Sequence, residues 1–246
     1  MKILLHIGKY AVFLSKIFRR PQKFKVFINN IFFEIEKLGI NSIVIVFIIS
    51  IFMGAVITLQ AAYNIQMNFV PAYIIGYGTR DSLFLEFSST IVALILAGKV
   101  GAGIASEIGT MKIREQIEAL DIMGVNSESH LVLPKIIAGL FSFPLLSLFS
   151  MFIGLIGGYL VTVLTAVIPP GEYLVGIRSS FVPYYITYSL IKMTVFGFVI
   201  VTVPAYHAYY VRGGALEVGR AGTKGVVYSS LLILFFNVVL TQLLLS

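Results

Sequence analysis

Five apolar stretches divide this chain, each close to the roughly 20 helical residues that the hydrocarbon core of a bilayer requires. They run from Asn41 to about Tyr63, from Phe87 through Lys99 to Ala105, within Ile136–Gly171, from Pro183 to about His207, and from Gly225 to Ser246. Asn64, Gln66, Asn68 and Pro71 follow the first, Pro169-Pro170-Gly171 closes the third, and Lys192 interrupts the fourth. The apolar residues are continuous instead of alternating at period two, so the spanning elements are helices and not barrel strands. Only 12% of the 246 residues are charged, against about 25% in soluble domains. The mean hydropathy of +0.96 agrees. The expected fold is an all-α membrane protein of five transmembrane helices, treated as one domain over 1–246. No hydrophilic run is long enough for a separate soluble domain.

Lysine and arginine set the orientation. Fifteen lie before span one, around the loop between spans two and three, and after span four; only Arg80 and Arg178 face the other way, with Lys192 inside a span. The positive-inside rule places the N-terminus and the loop after span two in the cytoplasm, and five spans then place the C-terminus on the opposite side. The net charge of +7 follows this distribution and does not point to nucleic acid. Residues 1–37 do not read as a signal peptide, because His6, Lys9 and Lys16 break the apolar stretch and no small-residue cleavage site follows. Lys2, His6, Lys9, Lys16 and Arg20 share one helical sector, and Ile3, Ile7, Tyr10, Leu14 and Ile17 another. Pro21 breaks the helix; Phe24, Phe27, Ile28, Ile31 and Ile35 resume the stripe. This pattern predicts amphipathic helices on the cytoplasmic face, with a packed lead-in to span one as the alternative.

The loop between spans two and three is unlike its surroundings. Ile113, Ile117 and Leu120 form one helical stripe, Gly124 is placed to end the helix, and Arg114 and Glu118 stand four apart. Five acids (Glu107, Glu115, Glu118, Asp121, Glu128) oppose two bases (Lys112, Arg114), a local charge of −3 on the side where basic residues are usual. Such a segment is either a solvated surface helix or a docking helix, and the apolar ridge favours docking. Span two carries Ala93, Ala97, Gly101, Ala105 and Gly109 at four-residue spacing, a seam for close helix packing. Gly54, Thr58 and Ala62 make a second, weaker one.

Catalytic signals are missing. There is no cysteine, and His6, His130 and His207 are scattered, which argues against a metal site. Gly214–Ala221 has P-loop spacing but lacks the lysine and the Ser/Thr, so the chain is not expected to hydrolyse ATP or to bind a cofactor itself. Lys192 and Glu86 stand out as charges within or near the end of spans. An intramembrane charge reads as functional by default, and a snorkelling side chain is the competing reading.

Leu96–Val125, LAGKVGAGIASEIGTMKIREQIEALDIMGV, resembles the signature of the MlaE-type permease family of ABC transporters, and Gly213–Ser230, GGALEVGRAGTKGVVYSS, resembles that family's second signature. The resemblance implies a homodimer in the bacterial inner membrane, with the C-terminus periplasmic. Each copy would bind a cytoplasmic ABC ATPase subunit, which carries the ATP, through a coupling helix between spans two and three. It also implies a periplasmic MCE-domain subunit, any STAS-domain subunit being a separate chain, and a lipid substrate moved between inner and outer membranes. By matching position the coupling segment, 107–125, would comprise Glu107, Thr110, Met111, Arg114, Glu115, Ile117, Glu118, Leu120 and Asp121. Lys192 and Glu86 are candidates for a lipid path. Two other classes stay open: a secondary transporter using Lys192 and Glu86 as coupling charges, and a lipid-binding membrane scaffold.

Overall fold

The computed structural model describes residues 2–18, 24–65 and 71–245. Its helices are α1 (Lys2–Ile17), α2 (Phe24–Glu34), α3 (Ile43–Asn64), α4 (Tyr73–Ser82), α5 (Val92–Leu96), α6 (Ala102–Ile113), α7 (Gln116–Ile122), α8 (Ser127–Thr165), α9 (Pro170–Arg178), α10 (Tyr184–Tyr209) and α11 (Ala215–Leu245). Among the described residues there is no strand. Five helical runs are long and apolar enough to cross a membrane: Lys25–Asn64, Tyr73–Ile113, Ser127–Thr165, Tyr184–Tyr209 and Ala215–Leu245. Each overlaps one of the five stretches read from the sequence.

These runs outlast their apolar cores, and the first two are not uniform α-helix. A π-turn at Ile35–Gly39 and a 3-10 turn at Ile40–Ser42 join α2 to α3, so α2 continues into span one instead of forming a separate surface helix. In the second run, π-helical segments at Leu83–Ile91 and Ala97–Gly101 flank α5. A π-segment widens the hydrogen-bonding interval, loosens the carbonyl ladder, and is often found at functional positions.

The chain divides into two compact units. The first draws on 1–41, 93–143 and 194–246. Its centre is the small-residue seam of span two. Ala93, Ala97 and Ala105 are fully buried. A Cβ built on Gly101 would lie 3.1 Å from Pro204 Cγ of α10, and one on Gly222 of α11 3.6 Å from the Ala105 Cβ. The seam therefore meets α10 and α11 of the same chain, where small side chains let the backbones approach.

Helix α1 packs in this unit too, through part of the expected stripe, with Tyr10 and Leu14 half-buried and Ile17 buried, and through Phe13 beside it. Phe13 and Ile17 are fully buried, whereas Ile7 is 60% exposed. The buried sector is centred on Phe13, whose ring packs on Tyr206, Tyr209 and Tyr210 of α10. Tyr10 Oη hydrogen-bonds Thr202 Oγ1 at 2.7 Å, and Lys16 pairs with Glu128 at 3.1 Å. Ile7, Val12 and Phe18 stay exposed and apolar, the face a bilayer surface would cover. The break expected at Pro21 and the side chain of Ile3 lie outside the described residues.

The second unit draws on 42–92 and 144–193. Here α3 and α8 touch backbone to backbone. A Cβ on Gly54 would overlap the Gly154 carbonyl, and one on Gly157 the Ile51 carbonyl oxygen. Thr58 and Ala62 of the same stripe are buried, and Ser50 Oγ donates to Ser150 Oγ at 2.8 Å. Helices α4 and α9 pack closely through Gly76 and Gly176. Arg80 fixes their geometry: it is 1% exposed, pairs with Asp81 at 2.7 Å, and donates to the carbonyls of Ile177 and Ser179 at 2.9 and 2.6 Å. It thereby satisfies carbonyls left open at the end of α9. Apolar side chains are exposed on this unit, among them Phe52 and Val56 of α3, as Phe235 and Val238 of α11 are on the first.

Candidate functional site

The polar segment after span two folds as a hinge and a short helix. Helix α6 ends at Ile113, and Glu115 takes a left-handed conformation, φ 59°. That conformation is uncommon for a residue with a side chain and breaks the helical path. Helix α7 then runs from Gln116 to Ile122. Its end is a Schellman closure: Gly124, φ 76°, donates to the Asp121 carbonyl at 3.0 Å, and Val125 N–H to the Leu120 carbonyl at 3.0 Å.

The hinge changes which residues face outward. The ridge Ile113–Ile117–Leu120 assumed one continuous helix. Instead, Ile117 is fully buried, Ile113 and Leu120 are half-buried, and Ile113 packs beside Val211, Val218 and Ala221. The ridge is used in the chain's own packing. The exposed apolar pair is Ile122 and Met123, 88% and 68% accessible, beside the exposed Asp121. Arg114 and Glu118 do not share a helix, so the expected pair is replaced by Lys112–Glu118. The Lys112 ammonium bonded to Glu118 holds its carboxyl below the ordinary carboxylate range. Glu115 and Arg114 are exposed at the hinge; Thr110 and Met111 are half-buried on the last turn of α6.

Glu107 is engaged elsewhere. Its Oε2 accepts from Lys37 Nζ at 2.6 Å and from Lys135 Nζ at 2.9 Å, and Lys135 also pairs with Glu34. Lys135 is 2% exposed. Two lysines and two carboxylates thus join the π-turn after α2, the end of α2, α6 and α8. Such a chain can offset the desolvation of its members. Glu34 and Lys135 carried no signal in the sequence beyond being charged near a span end.

The second unit holds an intramembrane charge site. Lys192, on α10, is fully buried. Its Nζ donates to Glu86 Oε1 at 2.9 Å, to the Leu85 carbonyl at 3.2 Å and to Tyr188 Oη at 3.1 Å. Leu85 and Glu86 lie in the π-segment Leu83–Ile91, where the loosened ladder leaves a carbonyl for the ammonium. Glu86 keeps its other oxygen on Thr90 Oγ1, 3.1 Å away, and its side chain is 39% exposed. Lys192 does not snorkel: it is held inward by a carboxylate 106 residues away in sequence. Tyr188, one turn before Lys192, completes the site and was not singled out from the sequence; its four-residue spacing from Lys192 was the available signal. Among the described residues no group of three or more His, Cys, Asp and Glu is arranged to hold a metal.

The sequence pattern of the permease MlaE family matches residues 31–243. A probable ABC transporter permease protein of Rickettsia bellii is 36% identical over 247 residues, covering 99% of this chain and 93% of the relative. The intermembrane phospholipid transport system permease protein MlaE of Haemophilus influenzae is 29% identical over 212 residues, 86% of this chain and 81% of the relative. Protein TRIGALACTOSYLDIACYLGLYCEROL 1 of the Arabidopsis thaliana chloroplast is 26% identical over 231 residues, 94% of this chain and 66% of the relative.

Proposed function

Because this chain belongs to the MlaE family of permeases, we propose that it is the membrane subunit of an ATP-driven phospholipid transporter. In this reading it works as a homodimer in the bacterial inner membrane, moving lipid between the inner and outer membranes. The single observation that carries the reading is the family match over nearly the whole chain. The relative in Haemophilus influenzae bears a name that specifies phospholipid. The chain lacks a nucleotide-binding loop, so ATP hydrolysis falls to a partner ATPase on the cytoplasmic side.

Helix α7 is the docking element in this reading. It is short and rigidly closed at Gly124, and it projects Ile122 and Met123 into solvent beside Asp121. An exposed apolar pair with an acidic neighbour suits an apolar pocket rimmed by basic residues. Because α7 follows α6 through a sharp hinge, a push on α7 acts on span two and its seam with α10 and α11. Glu107, Thr110 and Met111 would transmit the motion without touching the partner. A periplasmic MCE-domain subunit, and any STAS-domain subunit, would be separate chains.

The Lys192–Glu86 pair is proposed to lie on the lipid path. The buried Lys192 ammonium can exchange its partly exposed carboxylate partner for a lipid phosphate, which then neutralises the lysine. The test of the whole reading is co-purification of this chain with an ABC ATPase encoded beside it, followed by lipid-stimulated ATP hydrolysis. An assembled complex that hydrolyses ATP faster with phospholipid supports it. A chain that purifies alone and transports with an ion gradient would make it a secondary transporter, and one that only binds lipid a scaffold.

A further inference from the structure

Asn126 stands just past the closure of α7 at Gly124 and joins two helix ends. Its Oδ1 accepts the Ser129 N–H at 3.1 Å, which caps the N-terminus of α8. Its Nδ2 donates to the Lys16 carbonyl at 3.0 Å. That carbonyl lies in the last turn of α1, where carbonyls lack a partner within the helix. One side-chain amide thus caps α8 and latches α1, which takes a donor and an acceptor on the same group.

Other contacts tie the same ends together. Lys16 Nζ pairs at 3.1 Å with Glu128, a buried carboxylate in the first turn of α8. Tyr209, the last residue of α10, stands between α1 and α6. Its hydroxyl shares a 2.7 Å hydrogen bond with Ser127 Oγ, and the Phe13 ring of α1 packs on it with centroids 5.5 Å apart. The Lys112 ammonium lies 5.8 Å from the centre of the Tyr209 ring and also holds Glu118 of α7. All these residues belong to the first unit.

Helix α7 needs such support. Its seven residues are too few for a helix to persist in water by itself, and the left-handed Glu115 breaks its continuity with α6. Helix α1 is a suitable fixed end. Its outward face is apolar at Ile7, Val12 and Phe18 and carries Lys9, the pattern of a helix seated on a bilayer surface.

We propose that Asn126 is a positioning residue for α7: it latches α1, seated on the cytoplasmic leaflet, to the segment that closes α7, and so holds α7 in the pose that meets the ATPase. This role rests on the docking function proposed for α7, whereas the latch itself is tested without an ATPase.

The separating variant is Asn126→Asp. Aspartate caps a helix N-terminus as well as asparagine does, but it has no N–H for the Lys16 carbonyl. Hydrogen exchange is measured on the full chain in nanodiscs. Asn126→Asp should speed exchange of 116–125 and of the last turn of α1 at least fivefold, with the unfolding midpoint unchanged. Asn126→Ala loses the cap as well and should also lower the midpoint. Lys16→Met removes the second tie between the same ends; it should speed exchange of 116–125 at least twofold, and it carries the test if Asn126→Asp does not fold. Exchange of 116–125 unchanged in the folded variants would overturn the latch. A midpoint lowered as far in Asn126→Asp as in Asn126→Ala would reduce the residue to a cap and overturn it too. In the assembled complex, Asn126→Asp should keep ATPase co-purification, because Ile122 and Met123 are intact, yet move at least threefold less lipid per ATP hydrolysed. An unchanged ratio would overturn the positioning role. A chain that recruits no ATPase would count against the proposed function, and the exchange result would still decide the latch.

Discussion

Removing the two halves of the Lys192–Glu86 pair should have unequal consequences. In Glu86→Gln the Lys192 ammonium stays fully buried and loses its carboxylate, while neutral acceptors such as the Leu85 carbonyl and the Tyr188 hydroxyl remain. Leaving a buried charge uncompensated costs about 3–5 kcal/mol. In Lys192→Met the stranded group is Glu86, whose side chain is 39% exposed and still accepts from Thr90. Solvent can reach that carboxylate, so the loss is closer to that of charge-assisted hydrogen bonds, about 1.5–3 kcal/mol. Glu86→Gln should therefore destabilise more, by about 2 kcal/mol, or roughly 30-fold in the unfolding equilibrium. The double variant Glu86→Gln/Lys192→Met should be more stable than Glu86→Gln alone, because no charge is left unpaired. The assay is reversible unfolding in mixed micelles followed by circular dichroism, with all four proteins at one temperature. Lys192→Met equal to or worse than Glu86→Gln, or strictly additive effects in the double variant, would refute the assignment of Lys192 as the more deeply buried partner.

Three further outcomes follow from named contacts. Ile122→Asp with Met123→Asp should abolish ATPase co-purification while leaving a folded chain, whereas Ile117→Asp, at a fully buried position, should instead lower the melting temperature; size-exclusion and pull-down distinguish them. Gly124→Ala forces a side chain into the left-handed region and should cost roughly 1–2 kcal/mol, seen as a lowered unfolding midpoint. Gly157→Leu would drive a side chain into the Ile51 carbonyl and separate α3 from α8, so expression of folded protein should fall sharply, while Gly98→Ala, which meets nothing within 4 Å, should be neutral.

The spans were legible because hydrocarbon excludes charge, and charge-free runs mark what lies in it. Helix length was not, because helices continue past their apolar cores: Ser127, Glu128 and Ser129, buried against other parts of the protein, belong to the same helix as the apolar core of span three. The seam of Ala97, Gly101 and Ala105 was visible as spacing, but spacing does not say which helix it meets; Pro204 and Gly222 supply that answer. The docking ridge went wrong for a local reason. A helical wheel assumes an unbroken helix, and the left-handed Glu115, with no glycine to announce it, rotates Ile117 inward and leaves Ile122 and Met123 outside. The Lys192–Glu86 pairing was half visible: opposite charges within apolar runs need partners, yet residues 106 apart give no local sign of touching. The π-segment that frees the Leu85 carbonyl has no sequence pattern that periodicity detects.

The central claim is that ATP hydrolysed by a partner moves lipid through this chain. Its most direct test is the transfer of a fluorescent phospholipid out of vesicles holding the assembled complex, timed against ATP addition. Transfer that starts with ATP, stops with a non-hydrolysable analogue and is lost in Ile122→Asp/Met123→Asp is the predicted result. Transfer at the same rate without nucleotide, or transfer driven only by an ion gradient, would contradict it.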